Sequence, residues 1–125
     1  MPAYAMAHLH NPAPHPEVVE YIERIQDTLD PFGGRFIVHG PEVTVVEGEW
    51  PGTLVIIEFP DRDAARQWYE SPAYQAILPY RTNNIDGTAM LFEGVPEGYD
   101  PRATAEVMRR MLAAAPAGDA APEPA

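Results

Sequence analysis

Arg35, His39 and Glu58 are residue types that together bind anions and move protons. A histidine titrates near neutral pH and can act as a general base, while an arginine can clamp a carboxylate through two parallel N–H donors. By the period of two, Arg35, Ile37 and His39 are expected to share one face of a strand. Glu58 ends an otherwise apolar run, where a carboxylate is costly unless paired, so Arg35, Arg81 or His39 is its natural partner. These residues also have a purely structural reading, as an Arg–Glu pair closing a sheet edge and a histidine satisfied at a subunit interface. Trp68, Tyr69 and Tyr74, with Arg81, form a second set suited to lining a pocket for a flat ligand. The alternative is that this aromatic helix stripe, Trp68 above all, is core, whereas the hydroxyls of Tyr69 and Tyr74 need partners if buried.

His8 and His10 make an H-x-H pair, which on a strand puts both imidazoles on one face, with His15 close in sequence. Against a metal site, His10 and His15 flank prolines and no carboxylate is spaced to complete the set. The sequence carries no G-x-S-x-G, no phosphate-cradling glycine loop and no dinucleotide fingerprint, and it has no cysteine. No cofactor is expected.

The elements that must position these groups centre on Thr53–Tyr74. Leu54-Val55-Ile56-Ile57 reads as a strand buried on both faces. Asp61 then offers an N-cap, and Ala64, Ala65, Trp68 and Tyr69 recur at helical spacing until Ser71-Pro72. Before this stretch, Ala3–Leu9 alternates small residues (Ala3, Ala5, Ala7) with larger ones (Tyr4, Met6, His8), as a strand does. From Glu17 the period becomes helical, with Val18, Ile22, Ile25 and Leu29 on one face, ending at Pro31-Phe32-Gly33-Gly34. Arg35–Val38 resumes as a strand, kinks at Gly40-Pro41 and is expected to run on through Val43, Val45 and Val46, as one long strand with a bulge or as two short strands in line. Pro72–Arg81 reads as a short helix with Tyr74, Ile77 and Leu78 inward, and Thr88–Glu93 as a last strand.

The order strand, helix, strand, strand, helix, strand predicts an α+β, ferredoxin-like βαββαβ antiparallel sheet with its helices on one face. Val38, Val55, Ile57 and Leu91 make both faces apolar, so the uncovered face predicts a second copy packed sheet against sheet, a homodimer. Residues 1–94 are expected to form this domain. An arm and an extra C-terminal helix follow over 95–114, with Asp100-Pro101 as cap and first turn, and a disordered tail over 115–125.

Composition narrows the partners. A net charge of −11, with 19 acidic residues against 8 basic ones, opposes binding to phosphate backbones, so no nucleic-acid partner is expected. No apolar run approaches a membrane span, the first residues lack a signal-peptide layout, and a cytoplasmic location is expected. At this length one domain buries roughly two-thirds of its unfolded surface and needs no staples.

The run Gly33-Gly34-Arg35-Phe36-Ile37-Val38-His39-Gly40, then Glu47-Gly48-Glu49-Trp50-Pro51, Val55-Ile56-Ile57-Glu58-Phe59-Pro60, Ala64-Ala65 and Trp68-Tyr69-x-Ser71-Pro72-x-Tyr74 resembles the domain-of-unknown-function family 1330. The resemblance covers roughly residues 3–94 and implies membership of the dimeric α+β-barrel superfamily, hence a ferredoxin-like protomer and a sheet-to-sheet homodimer. That superfamily includes cofactor-free monooxygenases, haem-degrading enzymes, small isomerases and dehydratases, so the resemblance implies no single reaction. The expectation is a small-molecule cleft between sheet and helices. There Arg35, His39 and Glu58 would act on a small organic acid or aromatic metabolite without a cofactor. The alternatives are a non-catalytic ligand-binding or accessory dimer and a metal site on His8 and His10.

Overall fold

The computed structural model describes residues 1–115. The tail expected over 115–125 lies, but for Ala115, outside the described residues. The chain divides into two units, one over Met1–Val95 and one beginning at Pro96.

In the first unit β1 (Ala3–His10), α1 (Pro16–Leu29), β2 (Arg35–His39), β3 (Gly52–Phe59), α2 (Arg62–Glu70), α3 (Pro72–Thr82) and β4 (Asp86–Glu93) follow one another. The strands lie in the order β2-β3-β1-β4 and every pairing is antiparallel, the ferredoxin-like arrangement. Local signals set the boundaries. His15 caps α1 through Nδ1, which accepts from Glu17 N, and Gly33 takes the left-handed backbone (φ 69°) that ends the turn after it. The Asp61 carboxylate accepts from Ala64 N to start α2. Ser71 serves two helices at once: its hydroxyl donates to the last-turn carbonyl of Trp68 and accepts from Tyr74 N.

One expected element is absent. The segment carrying Val43, Val45 and Val46 does not continue β2; the three valines are exposed, and no strand forms before Gly52. Gly40 has φ +59° and Pro41 has no N–H, so the ladder stops once Gly40 N has donated to Leu54 O.

Register assigns the faces. Ala3, Ala5, Ala7 and Leu9 of β1 pair with Phe59, Ile57, Val55 and Thr53 of β3, and all lie on the inner side of the sheet, toward the helices. There Tyr21, Ile25 and Leu29 of α1, Ala65 and Trp68 of α2, and Tyr74 and Ile77 of α3 complete the core. Ile22, expected inward, faces the cavity between sheet and helices but stays 43 % exposed, whereas Tyr21 is buried. The buried stripe of α1 is Tyr21, Ile25, Thr28 and Leu29, rotated from the one read in the sequence.

On the outer side Tyr4, Met6 and His8 meet Phe92, Met90 and Thr88 of β4 and Glu58, Ile56 and Leu54 of β3. Trp50, from the long loop, stacks on His8 at 4.1 Å. Met90 and Phe92 remain exposed. The second unit holds one amphipathic helix, α4 (Pro101–Ala114), capped by Asp100, whose carboxylate accepts from Arg102 N. No helix among the described residues is long and apolar enough to cross a membrane.

Candidate functional site

Between the inner face and the helices lies a cavity of about 490 Å³, within the usual range for small-molecule sites. Its floor follows from β1 and β4: Ala5, Ala7 and Ala89 put methyl groups where larger side chains would meet the helices. Its walls are largely apolar and aromatic, with Val55, Ile57, Ile25, Trp68 and Phe36 among them. The polar side chains that reach it are few: Tyr21, Tyr74, Tyr69, Arg81, His39 and Thr53.

At its most buried polar point the hydroxyls of Tyr21 and Tyr74 hydrogen-bond to each other at 2.7 Å. Tyr74 also packs against Trp68 with ring centroids 4.0 Å apart, and the Trp68 indole N–H donates to Thr28 Oγ1 at 3.0 Å. Thr28 in turn donates to the Ile25 carbonyl, so the indole is fixed by a donor–acceptor chain. Trp68 therefore belongs to the core and lines the cavity as well.

Arg81 is the unusual member. It sits in the last turn of α3 at 9 % exposure, with its guanidinium carbon 5.7 Å from the centre of the Tyr21 ring. Among the described residues no carboxylate pairs with it; the ion pairs are Arg24–Glu20, Arg35–Glu58, Arg62–Glu93, Arg102–Asp100 and Arg110–Glu106. A buried charge without a counter-ion costs on the order of several kcal/mol. The helix C-terminus and the face of Tyr21 return part of that. Burial pushes the Tyr21 phenol above its ordinary value and Tyr74 adds to the effect, while Arg81 opposes it. Burial alone would lower Arg81, but the two phenols outweigh it and hold it above its ordinary value. The cluster is thus two hydrogen-bonded hydroxyls beside one fixed positive charge.

Arg35, His39 and Glu58 do not come together. The ladder between β2 and β3 pairs Arg35 with Glu58 and Phe36 with Ile57, then Val38 with Ile56 and His39 with Val55. The register shift around Ile37 inserts one residue, so the faces change parity between Arg35 and His39. Arg35 lies on the outer side, donating to Glu58 Oε1 through Nε at 3.1 Å and Nη2 at 2.8 Å. The Arg35 side chain is 70 % exposed, and neither it nor Glu58 lines the cavity. His39 turns inward, stacks on Phe36 at 4.6 Å, and lines the cavity while remaining exposed, which puts it at the rim.

Of the second set, Trp68, Tyr69, Tyr74 and Arg81 all line the cavity. Tyr21 was missed, although its four-residue spacing from Ile25 and the seven from Tyr21 to Thr28 was the available signal. On the outer side, His8 lies between His10 and Trp50, with ring centroids 4.4 and 4.1 Å away. The His15 ring nitrogen is occupied as the cap of α1, and no group of three His, Cys, Asp or Glu among the described residues could hold a metal ion.

The family described as Domain of unknown function (DUF1330) matches residues 2–95. Among solved structures, the chain is similar to a protein of unknown function from Rhodopseudomonas palustris, with 16 % identity, 76 % of this chain and 83 % of that one covered, and a TM-score of 0.57. It is also similar to SnoaB, a cofactor-independent oxygenase from Streptomyces nogalater, with 15 % identity, 79 % and 97 % covered, and a TM-score of 0.50. At these identities the likeness is one of fold. No curated protein matches.

Proposed function

The chain belongs to the domain-of-unknown-function family DUF1330, and from that premise we propose that it works as a homodimer whose sheet–helix cavity binds a small, largely apolar organic molecule. The observation that carries this is the cavity of about 490 Å³, walled by apolar and aromatic side chains with a few convergent polar groups. Dimerisation is supported by the exposed Met90 and Phe92 on a sheet face that no helix of its unit covers. The test uses a neutral aromatic probe, 2-naphthamide, titrated calorimetrically into the wild type and Ala7→Leu. The added side chain projects from the cavity floor, so the wild type should bind and the variant should not, with folding checked by circular dichroism. Absence of binding to the wild type, or equal binding by both proteins, sinks the reading.

A second reading, a cofactor-independent enzyme, is supported by His39 alone, a histidine at the cavity rim with its ring held against Phe36. There the base acts on a proton of the bound ligand, without Arg35 or Glu58. It predicts that His39→Ala abolishes turnover of a ligand while leaving its affinity within about threefold.

A further inference from the structure

We infer that the cavity takes a monocarboxylic acid, its carboxylate held by Arg81 with the hydroxyls of Tyr21 and Tyr74 and its apolar body laid over the alanine floor. This rests on the cavity reading above and names the ligand class for that same site. Three observations and one general property of arginine converge on it. Arg81 is more than nine-tenths buried, lines the cavity, and has no carboxylate partner among the described residues. A planar guanidinium offers paired N–H donors that match a carboxylate in bidentate geometry. The neighbouring phenols, joined at 2.7 Å, carry two protons between them; one bridges the pair and the other remains to donate to an anion. Of the lining side chains only Arg81 carries a permanent positive charge, so the site suits a singly charged head group and not a phosphate dianion.

The protein's overall charge works against an anion, and this restricts where one can bind. At −11 it repels anions at long range, so selectivity for an acid has to come from a local, desolvated contact. Such a contact forms where the guanidinium already sits among apolar walls, because water that would screen it is largely excluded. Ligand binding then supplies the countercharge that the fold omits.

The experiment compares 2-naphthoate with its near-isosteric neutral amide, 2-naphthamide, on the full-length protein at pH 7 by calorimetry. The acid should bind at least about tenfold more tightly than the amide. Arg81→Gln should erase that preference while leaving the amide within about twofold. Should Arg81→Gln fail to fold, Tyr21→Phe keeps the guanidinium, removes one hydroxyl, and should weaken the acid about threefold and the amide by less, because a bond to a charged acceptor is the stronger one. The wild-type comparison stands without either variant. Equal affinities for acid and amide in the wild type would overturn the carboxylate assignment and leave the cavity reading in place. Binding of neither overturns both.

Discussion

Thr28 shows how single side chains hold this site together. Its hydroxyl accepts from the Trp68 indole and donates to the Ile25 carbonyl, all within the core. Thr28→Val keeps the shape and strands the indole N–H, so urea unfolding should show a loss of about 1–3 kcal/mol. The outer Arg35–Glu58 pair contrasts with it, since an exposed pair contributes roughly 0–1 kcal/mol. Tyr21 gives a pH signature. Its phenol is raised above the ordinary 10.0, first by burial and then by Tyr74, so the folded state keeps a proton that the unfolded chain releases. The resulting stability is complete below pH about 10 and declines as pH rises above it, because there the unfolded state binds fewer protons. Urea midpoints measured from pH 8 to 11 should therefore fall, and fall less steeply in Tyr21→Phe. A flat profile in the wild type would count against the buried neutral phenol.

At the scale of elements, the site depends on where α2 stops and α3 starts. Ser71 lies between them with extended backbone, bonding to Trp68 O on one side and Tyr74 N on the other, and both helices place an aromatic residue in the cavity wall. Ser71→Ala removes both bonds. It should cost about 0.5–2 kcal/mol in thermal or urea unfolding, and weaken ligand binding through a misplaced Tyr74. The strands contribute differently. A central strand whose inward residues are Ala3, Ala5 and Ala7, with a leucine only at Leu9, leaves space under the helices that an all-Ile or all-Leu strand would fill. The cavity is thus a consequence of β1 composition more than of helix separation.

For the molecule as a whole, the decisive asymmetry is between the two sides of the sheet. Three helices cover the inner side except at its β4 edge, where Leu91 stays exposed, while the outer side has the Trp50 loop over His8 and leaves Met90 and Phe92 exposed. The proposed homodimer buries that remainder, which predicts that Phe92→Glu shifts the protein from dimer to monomer in sedimentation experiments at micromolar concentration. Wild type that sediments as a monomer would remove the dimer from the account. The cavity lies on the helix side of the sheet, so binding of the probe and the oligomeric state can be tested separately.

Much of this fold was legible in the order of residues. Caps at Asp61, Ser71 and Asp100, the Gly33-Gly34 stop and the two hydrophobic periods are local, and each acts within a few residues of itself. They sufficed for the ferredoxin-like topology and for Trp68, Tyr69, Tyr74 and Arg81 as neighbours. What only the tertiary structure decided was the side on which each polar group lies. A single inserted residue near Ile37 separates His39 from Arg35, because a strand has two faces and one extra residue exchanges them. Likewise the angle of α1 buries Tyr21 while Ile22, also on the cavity, stays part-open, since a helix turns until its total packing is best and no one residue sets that angle.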